Sequence, residues 1–166
     1  MLRIITFFTV MFFTSVAFSH GEKATEEFPM MPQWQLYNEA GQLVKSSDFV
    51  GKPLVIHFWA TWCPYCKKLQ PGLEKLYQKY QADGLQMIAI SLREDEGATP
   101  QKELDRRGMT FKTLIKGHEV GLNLFGVSGT PTTIFIDKTG HIISSTRISA
   151  PDDPRLEEIV KYIVEK

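Results

Sequence analysis

The 166-residue sequence predicts one α/β domain, a central mixed β-sheet flanked by helices, and three observations carry that prediction. Nearly continuous apolar runs at residues 54–59 and 85–92 enclose a segment of helical periodicity, which is a β-α-β unit with parallel strands. Two alternating stretches, 132–136 and 141–146, are joined by the turn former Lys138-Thr139-Gly140 and read as an antiparallel hairpin. The chain then closes on a stripe of Leu156, Ile159, Val160, Ile163 and Val164, a helix with one apolar face to cover. A β-α-β half followed by a β-β-α half gives a mixed sheet. The length suits one such domain with a full core and is too short for two.

Each element has its own local reason. Residues 20–32 are polar and then proline-bearing, an extended lead-in to a domain spanning 33–166. Residues 33–37 alternate polar and apolar as a short strand does, and Asn38 to Gln42 supply a turn. Ser46-Ser47-Asp48-Phe49 opens a short helical turn ending at Gly51. Leu54-Val55-Ile56-His57-Phe58-Trp59 is the pattern of a strand covered on both faces. The following helix places Leu69, Leu73, Leu76, Tyr77 and Tyr80 on one side, with Pro71 kinking it without ending it. Thr99-Pro100 fits the N-cap and first position of a helix reaching about Arg107. Residues 111–114 are apolar and of open type, and residues 118–125 form a short helix closed by Gly126.

The first nineteen residues are of another kind. Arg3 precedes an uncharged apolar run that is short for a membrane span, and small residues suited to cleavage follow it. Residues 1–19 are therefore expected to be a secretory signal, cut near 17 or 19, with an N-terminal anchor as the alternative. No cysteine lies there for lipid attachment. Lysine plus arginine and aspartate plus glutamate number 19 each, so the zero net charge argues against nucleic acid as a partner.

Both cysteines of the chain stand in Trp62-Cys63-Pro64-Tyr65-Cys66, between the strand and the helix. Cys63 fits the N-cap and Pro64 the first helical position, where a missing N–H costs nothing. First-turn N–H groups and the helix dipole favour an anion there, so Cys63 is expected to be an exposed, readily ionised thiol and Cys66, one turn on, a sheltered resolving thiol. A structural zinc site would need further ligands, and no second pair or histidine cluster supplies them, so neither metal nor cofactor is expected. A purely structural role is the other bland reading, but so short a loop makes a poor staple.

Together with Pro71 in the helix and Gly129-Thr130-Pro131-Thr132 before a strand ending at Asp137, these residues resemble the thioredoxin superfamily. The run from Asp48-Phe49-Val50-Gly51-Lys52-Pro53 through Trp62-Cys63, and Gly126-Val127-Ser128-Gly129-Thr130-Pro131 later, is similar to the exported TlpA-like branch that includes the ResA and DsbE reductases of cytochrome c maturation. The resemblance implies a thioredoxin fold with a TlpA-like helical insertion between the two halves. It also implies a cis Pro131 opposite the cysteine pair, with the Thr130 backbone taking an extended client segment. Two positions depart from it. His57 stands six residues before Cys63, where Asp or Asn is usual, and its imidazole could exchange the proton that Cys66 must lose; the plain alternative is a core histidine hydrogen-bonded to backbone. Leu69 replaces a frequent Glu, which weakens the link to cytochrome c in particular.

The leading expectation is a periplasmic thiol-disulfide oxidoreductase. Cys63 and Cys66 are its catalytic pair, His57, Trp62, Pro64 and Tyr65 support them, and Thr130 and Pro131 bind substrate. It is expected to act as a monomer and as a reductant of disulfide-bearing client proteins, recycled by a membrane thiol donor and without membrane contact once the signal is cleaved. Alternatives are an oxidase or isomerase of secreted proteins, or a redox-inert module holding peptides in the Pro131 groove. A peroxidase is disfavoured because Thr61 lacks the spaced proline and threonine pattern of peroxiredoxins.

Overall fold

The computed structural model describes residues 28–166, so the expected signal and the first part of the lead-in lie outside the described residues. Strand β1 (Gln35–Asn38) turns into β2 (Leu43–Lys45) through Gly41, whose φ of +76° a side chain would strain. β3 (Leu54–Trp59) leads into α1 (Pro64–Tyr80), β4 (Gln86–Ser91), α2 (Pro100–Arg106) and β5 (Lys112–Ile115). A π-helical turn (Val120–Leu124) follows, then β6 (Thr132–Ile136), β7 (Ile142–Thr146) and α3 (Pro154–Glu165).

The strands form one seven-stranded sheet in the order β2-β1-β5-β4-β3-β6-β7. β3 runs parallel to β4 and antiparallel to β6, which confirms the β-α-β and β-β-α halves. The segment between them, expected as a helical insertion, carries α2, the π turn and also β5, which pairs parallel to β4 and joins it to the β1-β2 hairpin. The end of the lead-in docks too: Met31 N–H donates to the Gly140 carbonyl, and Ile142 N–H to that of Pro29, both at 2.8 Å.

Alternation along β3 divides the interior. Leu54, Ile56 and Phe58 join Ile88, Ile90, Leu114 and Ile134 on one face. Val55 and Trp59 join both cysteines, Leu69 and Leu73 of α1, and Leu156, Val160 and Ile163 of α3 on the other. Every β3 residue is buried, as a strand covered on both faces requires.

Pro71 does not end α1, and tertiary contacts explain how its cost is met. A proline at 71 leaves the Lys67 carbonyl without its helical donor. The Arg107 guanidinium, at the end of α2, donates to that carbonyl, while its Nε donates to Gln70 Oε1 at 3.1 Å. Lys67 also pairs with Glu103 of α2 at 3.3 Å. Removing the donor orphans the carbonyl again, so Arg107→Met is expected to lower stability by about 1 to 3 kcal/mol in urea unfolding. A loss under about 0.5 kcal/mol would show the carbonyl satisfied otherwise.

The expected Thr99 cap is corrected in one detail. Thr99 sits at the N-cap of α2 without a side-chain cap bond, and Glu39 from the β1-β2 turn accepts the Gln101 N–H at 2.7 Å instead.

Candidate active site

β3 ends at Trp59, whose indole Nε1 donates to Thr113 Oγ1 at 3.1 Å and so ties the strand end to β5. The chain turns at residues 60–62, closed by Cys63 N–H to the Ala60 carbonyl at 3.1 Å, and enters α1. Cys63 is the N-cap in extended conformation and Pro64 holds the first helical position, as the spacing predicts. No acidic residue stands in the first turn to offset the positive end of the helix dipole.

Cys63 and Cys66 are joined in a disulfide with their Cα atoms 5.3 Å apart. Cys63 Sγ also accepts the Cys66 N–H at 3.2 Å, one of the first-turn donors without a helical partner. That N–H is placed to solvate an anion on the same sulfur once the bond opens. The expected exposure of Cys63 is corrected: it is 2% accessible and Cys66 is wholly buried. The disulfide folds both sulfurs back against the helix and the cluster of Trp59, Leu69 and Leu73, leaving Trp62 and Tyr65, 52% and 63% exposed, as the surface beside them. Leu69 lies wholly within that cluster.

His57 alternates with Val55 and Trp59, so it faces the same side of the sheet as the cysteines. It is fully buried, with Nδ1 3.4 Å from Thr133 Oγ1 and Nε2 without a partner among the described residues. Its contact is therefore a side-chain hydroxyl, where a plain core histidine was expected to meet backbone. Burial lowers its pKa from 6.5 to about 3, so the imidazole is neutral at physiological pH. Below the unfolded pKa the unfolded chain takes up a proton that the folded one refuses, so stability is full above 6.5 and falls toward pH 3. The slope is about 1.4 kcal/mol per pH unit. Between about pH 7.5 and 4.5 the native protein is expected to lose about 2 to 3 kcal/mol more than a His57→Asn variant in urea unfolding. Equal losses would mean that the imidazole protonates in the folded state.

The register sets Phe58 opposite Thr132, which brings the start of β6 to the end of β3 where the cysteine turn begins. Just ahead, the Thr130-Pro131 peptide is cis, and Thr132 Oγ1 donates to the Gly129 carbonyl at 2.7 Å. Trp62 and Thr130 line one notch of about 50 Å³. Of the expected site residues, Cys63, Pro64, Tyr65 and Cys66 thus form the helix entry, Trp62 and Thr130 share the notch, Pro131 follows in the cis peptide ahead of β6, and His57 lies on the cysteine side of β3.

Sequence reasoning missed a second grip on the turn. The Glu94 carboxylate accepts Thr61 N–H at 3.1 Å and Thr61 Oγ1–H at 2.5 Å, and the Arg93 carbonyl accepts Trp62 Nε1–H at 2.9 Å. Burial holds the Glu94 carboxyl above its ordinary range against the opposing Thr61 bonds. The sequence offered only a charged loop after β4, with no spacing to single out either residue.

The AhpC/TSA family model matches residues 29–145. The chain is 33% identical over 131 residues to the thiol-disulfide oxidoreductase ResA of Geobacillus thermodenitrificans, covering 77% of this chain and 75% of that one. The chain belongs to the AhpC/TSA family. Within it, the match to ResA of Halalkalibacterium halodurans is also 33%, over 124 residues, 74% of this chain and 69% of that one. A Chlorobium tepidum protein assigned as the thiol:disulfide interchange protein DsbE superposes with a TM-score of 0.72 at 27% identity, over 84% of this chain and 98% of that one. A secreted Mycobacterium tuberculosis disulfide oxidoreductase, at 22% identity and a TM-score of 0.67 over 78% and 96% of the two chains, shares the fold. This AhpC/TSA member is accordingly a thiol-disulfide oxidoreductase of the ResA and DsbE type with a thioredoxin-like fold.

Proposed function

We propose that the protein works outside the cytoplasm as a dithiol reductant of disulfide-bearing client proteins. The observation that carries this is the Cys63-Cys66 pair at an uncompensated helix N-terminus, with the Cys63 sulfur already accepting a first-turn N–H. Reduced Cys63 attacks a client disulfide as thiolate; one client sulfur bonds to Cys63 and the other leaves as thiolate and takes a proton. Cys66 then loses its proton and attacks the Cys63 sulfur, which forms the intramolecular disulfide and releases the second client thiolate.

His57 is the positioning partner of that second step. Its ring is neutral, with Nδ1 at the Thr133 hydroxyl and Nε2 without a partner among the described residues, so the Cys66 proton passes only by entering at Nε2 as another leaves from Nδ1, with no imidazolium formed. Pro64 and Tyr65 shape the helix entry, Trp62 walls the groove, and the backbone at Thr130, before Pro131, lies where an extended client segment could pair with it. Residues 33–166 act as the catalytic domain, monomeric, delivered to the periplasm by a signal at 1–19 that is cleaved or kept as an anchor. A membrane thiol donor restores the dithiol. The cytochrome c apoprotein is one client class this reading admits, although Leu69 removes a carboxylate frequent in that group.

Equilibration with glutathione buffers tests the direction. A reductant is expected at a potential more negative than about −200 mV, and a value near −120 mV would reverse the reading to an oxidase.

A further inference from the structure

The groove beside the disulfide carries a charge pattern that dithiol exchange does not itself use. Its notch is walled by Trp62, Leu92 and Val127 and bounded by residues 128–130. Among the described residues Arg93 is the one guanidinium on this lining, with the His118 imidazole beside it, and no carboxylate lines the notch. Arg93 Nε donates to the His118 ring at 3.3 Å, and no carboxylate pairs with Arg93 among the described residues. Its φ of +48° lies in the left-handed region, at a cost of about 1 to 2 kcal/mol for a residue with a side chain. The loop is held there because the Arg93 carbonyl takes the Trp62 indole N–H and Glu94 grips Thr61. The Arg93 backbone is thus held by bonds that also fix the cysteine turn, and its side chain rests on the His118 ring.

A second guanidinium without a carboxylate partner among the described residues, Arg147, stands across the same segment. A Cβ built on Gly129 would fall 2.7 Å from the Arg147 guanidinium, so that exposed group lies against the Gly129 backbone. The acids of the loop line a different space from the notch. Glu94, Asp95 and Glu96, with Glu39, line a neighbouring cavity of about 470 Å³, and Arg93 and His118 border both spaces.

We infer that Arg93, with Arg147 on the far side of Gly129, makes the site select client segments bearing an acidic side chain next to the attacked cysteine. This rests on the exchange proposed above and names its substrate class. A guanidinium fork matches a carboxylate in two hydrogen bonds, and the notch has room for one small polar group. A lysine in the same register meets a like charge and no acceptor side chain of opposite sign.

The test uses extended peptides whose single cysteine is held in a mixed disulfide with thionitrobenzoate, with Asp, Asn or Lys flanking the cysteine. Reduced protein attacks the peptide sulfur, releases the coloured thiolate and then expels the peptide as Cys66 closes on Cys63. The Asp peptide is expected to exceed the Lys peptide in the single-turnover second-order rate constant of the pre-reduced protein by roughly five- to twentyfold at low salt, with the ratio shrinking as salt rises. Arg93→Gln brings the ratio close to unity, Arg147→Gln lowers it partway, and Lys75→Gln, a charge removed from the exposed side of α1, leaves it unchanged. Equal rates for Asp and Lys with the native protein overturn the selectivity and leave the exchange reading intact. Failure to reduce any of the peptides overturns both. A native ratio that Arg93→Gln does not change assigns the preference elsewhere and overturns the role of Arg93.

Discussion

Cys63→Ser is expected to reduce the catalysed reduction of insulin disulfides to the level of buffer thiol alone, whereas Cys66→Ser accumulates a covalent complex with its client. The two losses differ because the two sulfurs sit differently. Cys63 is at the helix mouth with the Cys66 N–H pointed at its sulfur, and Cys66 is sealed in the cluster with Trp59, Leu69 and Leu73. Without Cys63 the remaining thiol is sealed inside the cluster, out of reach of a client disulfide. Without Cys66 the first bond still forms but cannot be resolved from within, so the mixed disulfide survives until an outside thiol attacks it. Non-reducing gels of Cys66→Ser expressed in its own host, followed by identification of what dithiothreitol releases, read this directly. Complexes through Cys66 in Cys63→Ser, and none in Cys66→Ser, would exchange the two roles.

Gly72→Ala is expected to be the most damaging single methyl in the fold. A Cβ at residue 72 would stand 2.0 Å from the Pro151 carbonyl oxygen and 2.7 Å from its carbonyl carbon and Cα. All three are backbone atoms, so no rotamer change relieves the contact. Alanine is the better helix former by about 1 kcal/mol, yet the segment entering α3 must leave α1 to admit it. That movement pulls Leu156, Val160 and Ile163 from the shared core. A net loss of roughly 3 kcal/mol or more is expected in urea unfolding. A variant within about 1 kcal/mol of native would show that the crossing of residue 151 over α1 is looser than its geometry.

Legibility in the sequence followed how far each signal reaches. β3 was readable because six consecutive buried residues leave an apolar run, and α1 because its cap, its proline and its stripe agree. β5 was not, since Lys112–Ile115 is too short for alternation to separate strand from helix, and its pairing with β4 is a tertiary choice. β2 escaped for the same reason. The helix through Pro71 could be expected, but not that Arg107 from α2 would satisfy the Lys67 carbonyl. At the site, the cysteines, Thr130 and Pro131 announced themselves by motif. The position of His57 was visible too, while its neutrality depends on burial. Arg93 and Glu94 were hidden in a run of charges whose meaning lies in where the loop folds back.

Exchange at this site depends on an anion stabilised at Cys63 by the entry of α1, and alkylation of the reduced protein by iodoacetamide across pH measures it most directly. The expected result is a Cys63 modification rate that reaches its half-maximum about one pH unit or more below that of an unfolded peptide of the same residues, with Cys66 modified far more slowly. A Cys63 profile that coincides with the peptide's would mean that the helix entry stabilises no anion and would contradict the proposed exchange.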